Sequence, residues 1–174
     1  MGIGIQICGL NGCGKSTLGK ALAKELDFCF IDNENLYFTR TDAKKPYTNP
    51  KSRDEVERLL MDEVYEHRDF VFAAVKGDYG AEIIPLYNYV VLIEVPKEIR
   101  LQRVRSRSFQ KFGNRILPDG DLYEQEEAFF QMVASREEDY VEKWVQTLNC
   151  PVIKVDGAKP VEENIEFLIR QMNI

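Results

Sequence analysis

Apolar residues alternate at the start of the chain, where isoleucine stands at positions 3, 5 and 7. Glycine-rich residues 9–14 interrupt the alternation, and apolar residues then recur at helical spacing through residues 18–26. Alternation is typical of a strand, whereas recurrence every three or four residues is typical of an amphipathic helix. The pattern therefore predicts a strand, a glycine loop and a helix in that order.

Later apolar runs predict further strands at residues 28–31, 70–75, 89–95 and 151–155. Helical spacing predicts helices at residues 56–64, 99–107, 122–148 and 161–169, the third of them long enough to be broken once. The two middle strands lack polar alternation, as expected for central strands covered on both faces. Strands that alternate with helices predict an α/β fold, with a parallel sheet of about five strands and helices on both faces.

Two segments lack this periodicity. Residues 41–52 hold two prolines and few apolar residues, which predicts an exposed, mobile loop. Residues 109–120 hold two glycines and a proline, which predicts an irregular segment.

Length and composition limit the classes of protein to which this chain can belong. At about 150 residues per domain, the 174 residues predict a single domain over residues 1–174. No apolar run approaches the ~18 residues that a membrane span needs, and no secretory signal is visible. The four cysteines form no C-x-x-C pair, which is typical of reduced thiols. We expect a cytoplasmic protein, monomeric or homodimeric, that does not associate with membranes.

Net charge separates the chain into two parts. The total of −6 disfavours a nucleic-acid binder, because such binding depends on basic residues that neutralise phosphates. Residues 97–115 nevertheless carry seven basic residues against one acidic residue, so the rest of the chain carries −12. Arginine forks suit phosphate oxygens, so we favour Arg103, Arg107, Arg115 and Arg136 as phosphate contacts. The alternatives are a solvated helix face and, for Arg136, pairing with acidic neighbours.

The glycine loop carries the most specific motif. Residues 9–16 match G-x-x-x-x-G-K-[ST] between a strand and a helix, the context that a phosphate-binding loop requires. Backbone N–H groups and the helix N-terminus then face the phosphates of ATP, Lys15 bridges the β- and γ-phosphates, and the Ser16 hydroxyl binds Mg²⁺. For Cys13 we favour small-residue packing over a redox role. The predicted nucleotide contacts in this loop are Gly9, Asn11, Gly12, Cys13, Gly14, Lys15, Ser16 and Thr17.

Carboxylates follow two of the predicted strands, at the edge where open α/β sheets bind ligands. Asp32 is placed either to hold Mg²⁺ through water or to cap a helix. Glu34 is placed to orient or deprotonate an acceptor hydroxyl, and the alternative is that it remains a solvated charge. Gly77 lies at the same edge, beside Asp78, for which an outer metal-shell role and a capping role are equally open.

Arg53 and Arg58 lie on the helix that follows the predicted mobile loop. They are candidate anchors for an anionic acceptor, and the alternative is that they only keep an exposed helix soluble.

The chain lacks the D-x-x-G and N-K-x-D motifs of GTPases. Over nearly its whole length it resembles the nucleoside-monophosphate kinase superfamily, and most closely shikimate kinase. The resemblance rests on the phosphate loop with residues 18–23, Asp32-Asn33-Glu34 at a strand end, Arg115-Ile116-Leu117, Arg136 with Tyr140, and residues 156–160. It implies a three-layer P-loop fold, an arginine-rich lid at about 108–120, an acceptor-binding region at about 33–60, and a loop around adenine that includes Lys159 and Pro160.

One departure from the family pattern bears on the acceptor. Where shikimate kinases carry Gly-Gly-Gly, this chain has Lys76-Gly77-Asp78, so we expect an acceptor other than shikimate.

The resemblance implies a kinase that uses ATP and Mg²⁺ to phosphorylate a small anionic metabolite. Lys15, Glu34, Arg115 and Arg136 are its expected catalytic residues, with Ser16 and Asp32 at the metal. Glu34 acts as base or as positioning group. The expected acceptor contacts are Asp32, Glu34, Arg53, Arg58, Gly77, Asp78 and Arg136. One alternative is a nucleoside-monophosphate kinase, and another is a regulatory ATP-binding protein or ATPase without an acceptor.

Overall fold

The computed structural model describes residues 2–38 and 44–174. Strands and helices follow one another along this part of the chain, as the sequence predicted. In chain order they are β1 (Gly4–Cys8), α1 (Lys15–Leu26), β2 (Cys29–Asp32), α2 (Asn33–Tyr37), α3 (Arg53–Glu66), β3 (Phe70–Ala73), β4 (Tyr87–Glu94), α4 (Lys97–Phe112), α5 (Tyr123–Ser135), α6 (Tyr140–Val145), β5 (Val152–Asp156) and α7 (Val161–Met172). Short 3₁₀ helices occupy Ile84–Leu86 and Gly113–Ile116.

The five strands form one parallel sheet in the order β2-β3-β1-β4-β5. Ile5 at the centre of β1 lies opposite Val71 on one side and Tyr89 on the other. This confirms the predicted α/β class. Because β1 is central, the loop that follows it leaves the carboxyl edge of the sheet between its two neighbouring strands, where ligands bind in folds of this kind.

Side chains on the two faces of the sheet enter two separate cores, since successive residues of a strand point to opposite sides. Ile5 and Ile7 pack with residues of α1 and α7 such as Leu22 and Leu168. On the other face, residues of β3 and β4 pack with α3 and α6. Both faces are therefore covered by helices, which explains the nearly continuous apolar runs of the central strands.

Several element ends differ from the sequence-based expectations. Helix α4 does not stop near residue 107 but continues to Phe112 and ends at Gly113, whose φ of 58° lies in the left-handed region. The predicted helix over 122–148 is broken once, as its length allowed, between α5 and α6, where Arg136 is extended. The third strand ends at Ala73, and the short helix α2 was not predicted.

The expectation of an exposed loop at residues 41–52 is partly wrong. Pro46 is buried and Tyr47 is half-buried, although Lys44 and Lys45 are exposed. Residues 41–43 of that prediction lie outside the described residues. None of the helices in the described part of the chain has the length and apolarity of a membrane span.

Candidate active site

The phosphate loop has the backbone conformation that its glycines permit. Gly12 and Gly14 have φ values of 84° and 97°, and Gly14 forms the N-cap of α1. A Cβ at Gly12 would lie 2.4 Å from the carbonyl oxygen of Arg100, so α4 approaches this loop too closely for a side chain there. Lys15 Nζ donates a hydrogen bond to the Leu10 carbonyl at 3.2 Å, which folds the lysine over the loop.

Oxygen ligands lie beside the loop. Ser16 and Thr17 are exposed in the first turn of α1, which contains no acidic residue that would oppose a bound anion. Asp32 caps α2, because its Oδ1 accepts a hydrogen bond from the Glu34 N–H at 3.0 Å. The capping interpretation of Asp32 is thus observed, and its role at Mg²⁺ stays a prediction.

One cavity of about 320 Å³ adjoins the loop through Cys13, Gly14 and Thr17. The predicted residues Lys159 and Pro160 line it as well. Gly157 packs so closely here that a Cβ would lie 2.7 Å from the Cys13 carbonyl oxygen. The remaining lining residues are Leu18, Ile93, Arg103, Gly157, Val161 and Asn164. We call this space the nucleotide-side cavity.

Arg103 has a different partner from the one that its charge suggested. Its Nη1 donates a hydrogen bond to the Gly157 carbonyl at 3.1 Å, which links α4 to the loop after β5. Arg103 therefore lies at the wall of the nucleotide-side cavity, and phosphate contact by this residue stays a prediction.

A second cavity, of about 440 Å³, adjoins the same loop through Asn11. Glu34 and Arg107 line it, and their contacts with an acceptor and its phosphoryl donor stay predictions. The other lining residues are Phe38, Tyr47, Ser108, Lys111, Phe112, Gln125, Glu126 and Phe129. We call this space the acceptor-side cavity.

Aromatic rings form one side of the acceptor-side cavity. The Tyr47 ring meets Phe38 edge-on at a centroid distance of 5.4 Å and Phe112 at 6.2 Å. Burial raises the pKa of the Tyr47 hydroxyl, and the nearby Glu34 carboxylate raises it further, so the phenol stays neutral. Lys111 Nζ donates to this hydroxyl and lies 4.4 Å from the ring centroid. These contacts join the segment after α2 to the end of α4.

Glu126 is the residue that the sequence analysis missed. It is only 3% exposed and lines the acceptor-side cavity, and no hydrogen bond or ion pair joins its side chain to the described residues. Its carboxylate oxygens are not sealed in the core but keep contact with the space of the cavity. Leu122 and Phe130 flank it at spacings of four residues. A carboxylate between apolar residues at helical spacing is the signal that reveals it.

Two arginines hold Asn11 of the phosphate loop. Arg136 Nη1 donates to the Asn11 side-chain oxygen at 2.8 Å, and its guanidinium lies 5.3 Å from the Tyr140 ring centroid. Arg100 donates to the Asn11 carbonyl at 3.3 Å and to both carboxylate oxygens of Glu138 at 2.8 and 2.9 Å. The break between α5 and α6 is what brings Arg136 to the loop. Contact with the loop, rather than pairing with acidic neighbours, is the arrangement observed for Arg136.

The Arg100–Glu138 pair leads to a stability prediction. The Arg100 side chain is 3% exposed, so replacing Glu138 with glutamine would leave a buried charge with neutral partners only. We expect Glu138→Gln to lower the free energy of unfolding by about 2 kcal/mol, less than for a fully buried pair because Glu138 is half-exposed. Urea denaturation measures this. Glu137→Gln, which removes a surface pair with Lys143, should change it by less than about 1 kcal/mol; equal effects would contradict the assignment.

Arg115, expected in the lid, has partners within this structure. It pairs with Asp121 through bonds of 2.9 and 2.7 Å and donates to the Lys44 carbonyl at 2.8 Å. The hydrogen bonds from Arg115 hold the pKa of Asp121 below its usual range. Arg115 does not line the acceptor-side cavity, and its catalytic role stays a prediction.

Two further residues that were predicted to contact the acceptor also do not line the acceptor-side cavity. Arg53 pairs with Glu57 at 3.0 Å and donates to the Asp78 carbonyl, while the Asp78 carboxylate lies 3.4 Å from Lys76 Nζ. The bond from Arg53 links α3 to the loop after β3. Their contacts with an acceptor stay predictions.

Gly77 and Arg58 have structural surroundings of other kinds. A Cβ at Gly77 would lie 2.6 Å from Gln6 Cγ, and the Tyr87 hydroxyl donates to the Gly77 carbonyl at 2.9 Å. Close packing thus explains this glycine. Hydrogen bonds from Ser52 lower the pKa of Glu55, and Arg58, exposed on α3, lowers it further.

Known proteins are similar to this chain in sequence and in fold. The sequence profile of the family described as AAA domain matches residues 5–115. The uncharacterized protein YqaC of Bacillus subtilis is 29% identical over 173 residues, which cover 95% of this chain and 94% of that protein. The adenylate kinase isoenzyme 6 homolog of Caenorhabditis elegans is 28% identical over 93% of this chain and 85% of its own length. The structure of shikimate kinase from Aquifex aeolicus superposes with a TM-score of 0.61 at 20% identity, covering 98% of this chain and 96% of that one.

Proposed function

We propose that this chain, which belongs to the AAA-domain family of P-loop proteins, is a kinase that transfers the γ-phosphoryl group of ATP to a small anionic acceptor. One observation carries the proposal. The phosphate loop borders the nucleotide-side cavity through Cys13 and Gly14 and the acceptor-side cavity through Asn11. A nucleotide in the first cavity and an acceptor in the second would meet at this loop. The kinase relative supports transfer as the reaction class.

The residues present fit ATP and Mg²⁺. Gly14 leaves open space against the backbone, because nothing lies within 4 Å of a Cβ built there. The Ser16 hydroxyl and the Asp32 carboxylate supply the hard oxygen ligands that Mg²⁺ prefers. Bound Mg²⁺ would supply neutralisation of charge on the phosphate oxygens. Lys15 would leave the Leu10 carbonyl for the β- and γ-phosphates, because a phosphate is the stronger acceptor for an ammonium group.

In the proposed step an acceptor oxygen attacks the γ-phosphorus, the bond from that phosphorus to the β,γ-bridging oxygen breaks, and ADP leaves. If the acceptor is an alcohol, its proton passes to Glu34. Arg136 stabilises the charge of the transferring group, because its contact with Asn11 already places the guanidinium at the loop. We further propose that residues 108–120 act as a lid and that the acceptor-binding region spans about 33–60.

A nucleoside monophosphate is the second candidate acceptor. The rings of Phe38, Tyr47 and Phe112 favour it, because aromatic surfaces stack on a planar base. Arg107 and Lys111 at the same cavity suit a phosphate group. An ATPase without an acceptor leaves the 440 Å³ cavity without a role.

Glu126 gives a test of the acceptor-side cavity. If its carboxylate accepts a hydrogen bond from the acceptor, Glu126→Gln should raise the acceptor KM by about 10- to 100-fold. The melting temperature should change little, because glutamine keeps the size of the side chain and no hydrogen bond or ion pair to the described residues is lost.

The matched control is Glu127→Gln on the same helix, where Glu127 pairs with Arg105 outside the cavity. Steady-state kinetics and thermal melts measure both variants. A fall in stability for Glu126→Gln with an unchanged KM would show that Glu126 only supports the fold.

An ATP-consumption screen tests the proposed function. The panel comprises nucleoside monophosphates, nucleosides, shikimate, gluconate and amino sugars, each assayed with ATP and Mg²⁺. At least one small anionic compound or nucleotide should stimulate ADP formation many-fold over the rate without acceptor. Hydrolysis that no panel member accelerates would favour the ATPase alternative.

A further inference from the structure

A second cluster of chemically active side chains lies away from the phosphate loop. Cys29, Glu63 and His67 each offer one ligand atom, and the three atoms lie within 4.8 Å of one another. Cys29 is the first residue of β2, while Glu63 and His67 lie in the last turn and at the C-cap of α3. His67 is the single histidine of the chain.

The chemistry of these donors is that of a zinc ligand set. Thiolate, imidazole and carboxylate are the three side-chain groups that Zn²⁺ takes, with bonds of about 2.0–2.3 Å, so the donors of a tetrahedral centre lie about 3.3–3.8 Å apart. His67 Nε2 and Glu63 Oε2 are already 3.9 Å apart. Both side chains are about half-exposed, so small rotations can close the remaining distances.

The surroundings favour a cation. The half-buried Cys29 thiol lies near the carboxylates of Glu63 and Glu66, whose negative charge a divalent cation would neutralise. Cys29 is also held in place, since its N–H donates to the Asp69 carbonyl at 3.0 Å and its side chain packs against the core.

We propose that Cys29, Glu63 and His67 form a zinc-binding site, with water as the fourth ligand. On binding, the Cys29 thiol releases its proton to solvent and the thiolate sulfur becomes a ligand. The ion would join the start of edge strand β2 to the end of α3.

Zinc titration of the metal-stripped protein without nucleotide tests this site. We expect one Zn²⁺ per chain and a rise in melting temperature on binding. Mutation of a residue that only hydrogen-bonds to a metal ligand weakens metal affinity about 10- to 100-fold. Loss of a ligand itself should weaken zinc affinity at least as much, so we expect this for Cys29→Ser and for His67→Gln. His67 is exposed, so the second variant keeps the fold even where the first does not.

Cys150→Ser and Glu66→Gln are the matched controls, because Cys150 is another half-buried thiol and Glu66 lies beside the cluster. Both should bind zinc as the unmodified protein does. Co²⁺ should give a thiolate-to-metal charge-transfer band that Cys29→Ser abolishes. Absence of that band, or zinc affinity that neither variant changes, would overturn the proposal. The outcome is independent of kinase activity.

Discussion

Replacing Lys15 with methionine is expected to lower kcat by about 10²–10³-fold or more, the loss that follows when one preorganised donor to transition-state charge is removed. Lys15 is the only side-chain cation within the phosphate loop itself, and it lies folded over that loop through its bond to Leu10. Methionine keeps most of the length of the side chain and removes the charge. Acceptor-dependent ADP formation measures kcat, and calorimetry with ATP and Mg²⁺ measures nucleotide affinity, which should also fall.

Lys20→Met is the control for this variant, because Lys20 is an exposed lysine on the same helix, one turn beyond the loop. It should retain full activity and ATP affinity. If Lys15→Met bound ATP with unchanged affinity and kept its turnover, the phosphate loop would not be the nucleotide site.

Replacing Glu34 with glutamine is expected to lower kcat by about 10²-fold or more if the acceptor is an alcohol, because a general base contributes about 10²–10⁴-fold. The acceptor KM should change little, since glutamine retains the size and polarity of the side chain. A phosphate acceptor has already lost its proton and needs no base. With a monophosphate acceptor the change should therefore stay below about tenfold.

Steady-state kinetics of Glu34→Gln thus separates the two acceptor classes. Glu25→Gln is the matched control, since Glu25 is an exposed carboxylate on α1 and lines neither cavity. Near-unchanged turnover of Glu34→Gln would contradict the alcohol-acceptor form of the proposal. A similar loss of turnover in Glu25→Gln would show that removal of an exposed carboxylate lowers activity in general, without a specific role of Glu34.

Local features of the sequence were sufficient to predict the strands and the position of the phosphate loop. Alternating isoleucines located β1, and apolar runs located the four later strands. The spacing of the motif placed the phosphate loop between β1 and α1. Helix ends were harder to predict. Ser108 is buried and Phe112 faces the acceptor-side cavity, so tertiary packing extends α4 until Gly113 ends it.

The site depends on contacts between residues far apart in the chain, which periodicity does not report. The resemblance indicated Arg136, but its bond to Asn11 spans 125 positions, and the Arg100–Glu138 pair spans 38. The sequence analysis counted Arg100 only as one of the seven basic residues of 97–115 and gave no sign that the structure buries it. The acceptor-side cavity likewise combines four separate segments, so Glu126 became visible only when the fold placed α5 beside the loop.

The central claim is that the γ-phosphoryl group passes from ATP to a molecule bound in the acceptor-side cavity. Quenched reactions of the purified protein with ATP, Mg²⁺ and the most active acceptor of the screen, analysed by mass spectrometry, test it directly. The account predicts one phosphorylated acceptor for each ADP formed, with both products lost in Lys15→Met. Formation of ADP and inorganic phosphate in equal amounts, at a rate that the acceptor leaves unchanged, would contradict it.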